Sequence, residues 1–280
     1  MGQDYKECWI SAWPMLGEAF EQASLGHTRF LENQRMFLDR YGYLEETFFT
    51  FSFSPIRDET GGVGGLFHLV TELTQQTLVE RRLDIVRTLA DQTVNASSTE
   101  EALKLIAETL QAFELDLPFT LLYTLSHDGT KANLAGAAGI QADTALAPNV
   151  IDLDTESVYS SFFARVIQSG KFTQIEYLQK HFGSFSCRPY PEPPKTALIF
   201  PIYLPGNTCT HTIFIAGVSA RRALDEKYLS FYQLLVAAAT NALTKARAFE
   251  EEKNVQKRWL KLTGQRLLSS VTSAMSSAHH

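Results

Sequence analysis

The sequence predicts an α+β chain. A partial antiparallel sheet leads through a linker helix to a second antiparallel sheet flanked by helices, and a long C-terminal helix follows. Three observations predict it. Phe49, Phe51 and Phe53 alternate with Thr50, Ser52 and Ser54, the period of two of a half-buried strand. Val79, Leu83, Val86 and Ala90 follow the 4-3-4 spacing of a short coiled-coil seam. Further on, "FTLLYTL" with "ANLAGAAG", and "TALIFPIYL" with "HTIFIAGVSA", read as strands separated by helical stretches, the segregation that marks α+β modules.

In chain order, Trp9, Trp13, Leu16 and Phe20 recur at helical spacing, and Pro14 starts or bends that helix. A strand is expected over 34–41. The phenylalanine strand ends near Pro55, whose missing N–H suits an edge or an end. "RDETGG" supplies a turn, and Leu66 to Thr71 returns. Leu73 to Ala96 reads as helix. Ser98 and Thr99 open the next one, with Glu100 and Glu101 in its first turn, where acids favour the dipole. "HDGT" turns the hairpin between "FTLLYTL" and "ANLAGAAG". A helix over Val158 to Ser169 stops at Gly170. The proline-rich loop "SFSCRPYPEPPK" precedes the last two strands. "RRALDE" then turns into a long helix from about Glu226, along which Phe231, Leu235, Ala238, Ala242 and Phe249 keep heptad-like spacing.

The 280 residues suit one or two domains, and 45% hydrophobic with 20% charged residues is globular composition. A net charge of −6 and a pI near 5.7 leave no basic field for nucleic acid. The three cysteines, Cys8, Cys187 and Cys209, are odd in number and far apart. They form neither a disulfide framework nor a zinc motif, and a cytoplasmic location is expected. No apolar run approaches the roughly 20 residues of a membrane span, so stable membrane insertion is not expected. "MGQDYKECWI" carries no signal core, and Lys6 stands where a myristoylation signal has Ser or Thr.

"VTELTQQ" resembles the Asp-Ile-Thr ending of PAS domains, with Glu72 in place of Asp and Leu73 in place of Ile. "GYLEETFFTFSFSPIRDETGGVGG" and "LVERRLDIVRTLAD" are similar to the PAS segment and following helix of bacterial PAS–GAF hybrid sensor histidine kinases. "PYPEPPKTALIFPI" is similar to the lead-in to the second half of their GAF sheet. The resemblance covers most of Gly2 to about Glu252. It implies the C-terminal part of a PAS domain over 1–73, a signalling helix over 74–97, a GAF domain over 98–250 and a helical extension over 251–280. It also implies a homodimer in which ligand or partner binding is relayed through the flanking helices. Glu72, Thr74, Val79, Leu83 and Val86 would carry the signal. Two departures qualify it. The PAS half lacks its first strands, so the chain is expected to begin inside a domain. No His-box or ATP-binding box follows Glu252, so this chain is expected to be non-catalytic, with the histidine kinase core supplied in cis or in trans. A stand-alone GAF small-molecule-binding or scaffold protein is the alternative, followed by a GAF-type methionine sulfoxide reductase or a bilin chromoprotein.

The remaining constellations favour plain readings. "GGVGG" precedes a strand, not a helix, so turn glycines fit better than a phosphate loop. "AGAAG" reads as small residues crowded by a neighbouring helix. Cys187 is followed by Arg188 and Pro189, unlike a bilin-attachment cysteine, and no resolving-cysteine motif joins it to Cys209. His27, His68, His127, His181 and His211 are scattered and give no metal spacing; His68 is expected to pack in its strand. The Glu45–Glu46 and Glu250–Glu252 acids read as solvated charge. Lys257, Arg258, Lys261 and Arg266, with Trp259 and Leu262, fit a coiled-coil extension with snorkelling cations better than a membrane-surface helix. A ligand pocket between the second sheet and its covering helices would be lined by Phe119, Leu121, Tyr123, Phe162, Phe163, Tyr190 and Phe214. No residue selects a cofactor, whose identity stays unknown at this level.

Overall fold

The structure is a computed structural model that describes residues 2–205 and 212–277, with side chains to residue 259. The chain divides into two units. One comprises Met1–Asp84 with Ser219–Asp225, the other Ile85–Val218 with Glu226–His280.

The first unit opens with α1 (Tyr5–Cys8) and α2 (Trp13–Ser24). Asp4 caps α1 by accepting from the amides of Lys6 and Glu7 at 2.9 and 3.1 Å. Pro14 lies in the first turn of α2, where its missing N–H costs no helical bond. The strands β1 (Arg29–Asp39), β2 (Leu44–Arg57) and β3 (Val63–Glu72) form an antiparallel sheet in that order. The strand expected over 34–41 therefore starts earlier. A bulge between Leu31 and Gln34, with Asn33 at φ 48°, interrupts its period and hides its first half from pattern reading. Met36, Phe49, Phe51 and Phe53 bury one sheet face with Leu16, Ala19 and Ala23 of α2. Each buried phenylalanine contributes about 1.5–3 kcal/mol. The chain then enters α3 (Thr74–Thr93).

The second unit continues α3 and adds α4 (Thr99–Leu110) and a 3-10 turn at Gln111–Phe113. Ser98 caps α4 by accepting from the Glu101 amide at 3.2 Å. Next come β4 (Thr120–Leu125), β5 (Lys131–Ala138), β6 (Val150–Asp152) and α5 (Val158–Ser169). After these follow β7 (Thr173–Glu176), α6 (Leu178–Phe182), β8 (Thr196–Ile202), β9 (Thr212–Gly217) and α7 (Glu226–Ser277). The strands make one antiparallel sheet in the order β6-β5-β4-β9-β8-β7. Gly170 ends α5 at φ 67°, as a helix stop should. The short β6, β7 and α6 escape the sequence reading because three to five residues carry too little periodicity.

One sheet face, bearing Phe119, Leu121, Tyr123, Ile199, Ile213 and Ile215, packs with Tyr159, Phe163 and Val166 of α5. The other is covered by α4 and α7. The small residues of β5 answer to that packing: a Cβ on Gly136 would lie 2.9 Å from the Ala107 Cβ of α4. On α7, Phe231, Leu235 and Ala242 are buried and Ala238 is half-buried, so this part of the heptad-like spacing records core packing within the unit, while Phe249 is exposed. Cys209, His211, His279 and His280, and the side chains of Lys261, Leu262 and Arg266, lie outside the described residues.

Candidate functional site

Phe119, Leu121, Tyr123, Phe163 and Phe214 are fully buried, and Phe162 is half-buried. Register separates Phe214 from the others. It pairs with Leu122 across β4–β9, while Leu121 and Tyr123 pair with Ile215 and Ile213, so Phe214 points to the opposite sheet face. Tyr123 donates to the Pro148 carbonyl at 2.8 Å and Tyr159 to the Leu146 carbonyl, which pins both rings across this core. Burial pushes the Tyr123 phenol well above its ordinary value.

Of the seven, Tyr190 lines an open cleft. That cleft, about 660 Å³, lies between Gln111 and Glu114 after α4, Ala137–Gln141 at the end of β5, and Ser186–Pro191. Cys187 sits in its wall as a buried thiol whose pKa burial pushes up to about 11. At neutral pH it is therefore almost wholly protonated and a poor nucleophile.

The first unit holds a denser constellation. The Arg40 guanidinium spans two carboxylates: its Nε and Nη2 donate to Glu45 Oε2 at 3.1 and 2.8 Å, and its Nη1 and Nη2 to Glu72 Oε2 and Oε1 at 3.0 and 3.1 Å. Thr74 donates to Glu72 Oε1 at 2.8 Å and accepts from the Phe48 amide at 3.0 Å. Thus the end of β3, the start of α3 and the body of β2 share one hydroxyl. Glu45 Oε1 accepts from Arg222 Nη1 at 2.6 Å, with side chains only 9% and 7% exposed. Glu46 takes a bidentate pair from Arg81 at 3.1 and 2.8 Å, and its amide donates to the Arg221 carbonyl at 3.1 Å. The hydrogen bonds from Arg40 hold the Glu72 carboxyl below its ordinary range, and the same contacts raise Arg40.

Glu45 and Glu46 are therefore not solvated charge. Both are buried, and charged groups survive there because arginines satisfy them. In contrast, Glu250 accepts from the Thr99 amide at 3.3 Å, and Glu252 is exposed. Of the transmission candidates, Glu72 and Thr74 belong to this node. Val79 and Leu83 are exposed on α3, and Val86 is half-buried. His68 packs as expected: its ring stacks on Phe53 with centroids 4.3 Å apart, and its Nδ1 bonds the Tyr5 hydroxyl at 2.9 Å. Among the described residues no cluster of His, Cys, Asp or Glu is placed to hold a metal, and no helix is long and apolar enough to cross a membrane.

No protein-family model and no curated protein matches the chain. Several solved structures are similar to part of it. The GAF domain of an Acinetobacter phosphoenolpyruvate-protein phosphotransferase is 16% identical over 59% of this chain and 93% of that one, with a TM-score of 0.42. Residues 122 to 287 of a methyl-accepting chemotaxis protein are 18% identical over 56% of this chain and 96% of that one, with a TM-score of 0.42. The free methionine-R-sulfoxide reductase of Neisseria meningitidis, in complex with its substrate, is 14% identical over 61% of this chain and 91% of that one, with a TM-score of 0.43. At such identities and scores these likenesses carry no functional argument.

Proposed function

We propose that this chain is the sensory input region of a cytoplasmic two-component histidine kinase, a PAS-like module joined by a helix to a GAF module. It works as a homodimer and does no chemistry itself. A ligand or partner biases the second module, and the helices pass that bias to a kinase core held in cis or in trans. The observation that carries this reading is the node at the root of α3. Thr74, the first residue of that helix, is tied to both Glu72 and the Phe48 amide, and Arg40 clasps Glu72 to Glu45. A helix anchored so at its base rotates or shifts with the sheet, and the apolar side chains of Val79 and Leu83, which this chain leaves exposed, would carry the motion to a second copy. Burial of the Cys187 thiol, which raises its pKa, argues against a thiolate nucleophile at that residue.

The test is a fusion of α7, in continuous helical register, to a histidine kinase core. Autophosphorylation should change at least threefold in Glu72→Ala and Thr74→Val variants. Unchanged phosphorylation in both, or a fusion that stays monomeric at high concentration, would sink the relay.

A further inference from the structure

The large cleft of the second unit is lined by side chains of an unusual complement. Glu114 and Arg188 bring opposite charges, and Gln111 and Gln141 bring two carboxamides. Gln111, Gln141 and Arg188 are exposed and Glu114 is half-buried, and none of the four side chains makes a hydrogen bond or ion pair among the described residues. A carboxylate and a guanidinium that face one cleft yet do not pair with each other leave both charges available to a ligand. Carboxamides carry a donor and an acceptor each, the same pair that a peptide bond presents in reverse. Tyr190, Pro189 and Pro191 add apolar wall from the 186–191 segment.

The floor is backbone-close. Gly139 has φ 71°, and a Cβ there would lie 2.1 Å from the Pro118 carbonyl oxygen, so the end of β5 is held flat against the start of β4. The buried Cys187 fixes the root of the opposing segment. A volume of about 660 Å³ exceeds a single amino acid and suits a few residues of extended chain.

We propose that this cleft binds short peptides with both ends free, of about two to four residues. Glu114 would receive the terminal ammonium, Arg188 the terminal carboxylate, and Gln111 and Gln141 the peptide bonds between them. The proposal deepens the sensory reading, on which it rests only in giving the second unit something to sense.

The test uses the full chain and a randomised tripeptide library. Retained species are read by native mass spectrometry, beside the same library N-acetylated and C-amidated. Free-ended peptides should be retained and doubly blocked ones lost. Glu114→Gln should weaken free-amine peptides at least tenfold while leaving the preference for a free carboxylate. Arg188→Gln should do the converse. Neither side chain makes a bond among the described residues, so both variants should melt with the parent, which separates loss of binding from loss of fold. Retention of no tripeptide, equal retention of blocked and free libraries, or variants that bind like the parent would each overturn the proposal. A monomer that binds these peptides would instead refute the dimeric relay and leave this site standing.

Discussion

Arg222 and Glu45 meet at 2.6 Å with almost no exposure, and the two partners of Glu45 make the pair an unequal one. Replace Arg222 by Ala, and Glu45 keeps Arg40 on its other oxygen. The loss should be about 2–3 kcal/mol, below the roughly 3–5 kcal/mol of a buried charge left alone. Replace Glu45 by Gln, and the buried Arg222 guanidinium loses its carboxylate and keeps only neutral acceptors, the new carboxamide oxygen and the Glu46 carbonyl at 3.5 Å. That variant should sit at the upper end, about 3–5 kcal/mol. The Arg222→Ala, Glu45→Gln double variant removes both charges and should cost clearly less than the sum, with a coupling of about 2 kcal/mol or more. Urea unfolding followed by tryptophan fluorescence reads this directly. Trp9 and Trp13 both belong to the first unit, and Trp259, the third tryptophan, is replaced by Phe. Raising salt to about 1 M should leave the coupling nearly intact, because a buried pair is poorly screened. Single variants costing under about 0.5 kcal/mol, or an additive double variant, would mean that the pair behaves like a surface contact and that the node does not hold this unit together.

Three further outcomes follow from single groups. Glu72 has its carboxyl lowered below the ordinary 4.5 by Arg40, so its contribution is present above that value and lost as pH falls through the folded one; Glu72→Gln should flatten the acid limb of a stability–pH curve below about pH 4.5. Burial holds the His68 imidazole below 6.5, so the unfolded chain takes up its proton first and stability drains as pH falls under that value; His68→Phe, which can keep the stack on Phe53, should gain on the parent between pH 7.5 and about 5.5 in melting midpoint. Gly139→Ala, in the second unit and read by circular dichroism in urea, should cost about 2–4 kcal/mol, adding a clash with the Pro118 carbonyl to left-handed strain, whereas Gly42→Ala, at φ 77° with nothing within 4 Å, should cost about 1 kcal/mol by the tryptophan assay.

What the sequence discloses follows from how much local pattern each feature carries. The phenylalanine strand and α5 are legible because their periods are clean and their ends are marked by Pro55 and Gly170. β1 is half legible, because its bulge at Asn33 breaks the alternation. The node was not legible. Glu45 and Glu46 differ from any solvated acid pair only in what surrounds them, and of their partners Arg40 is near but Arg81 and Arg222 come from far along the chain. The one available hint is that the acids stand near the start of a strand whose phenylalanines are buried. The cleft is illegible for a related reason: aromatic residues place an expected pocket in the core, while the open site is lined by glutamines, a glutamate and an arginine that look like ordinary surface.

Helix α3 shows the same ambiguity in its sharpest form. Leu78, Arg82, Ile85 and Leu89 follow the same 4-3-4 spacing as Val79, Leu83, Val86 and Ala90, displaced by one residue. Hydropathy favours the second stripe, since Arg82 interrupts the first, yet the first is the one buried. Spacing fixes that the helix has an apolar face and cannot fix which stripe its own chain uses. The two stripes should therefore respond differently to the same deletion. Leu78→Ala opens a cavity at a side chain 1% exposed and should cost about 2–5 kcal/mol in the urea assay. Leu83→Ala removes a side chain already 55% exposed and should cost under about 0.5 kcal/mol in a dilute sample. If the exposed stripe is the seam between two copies, Leu83→Ala should nonetheless lower the sedimentation coefficient at high concentration, and Leu83→Glu should abolish self-association. A parent protein that sediments as a monomer throughout, with Leu83→Ala indistinguishable from it, would leave the stripe as bare surface and remove the dimer from the mechanism.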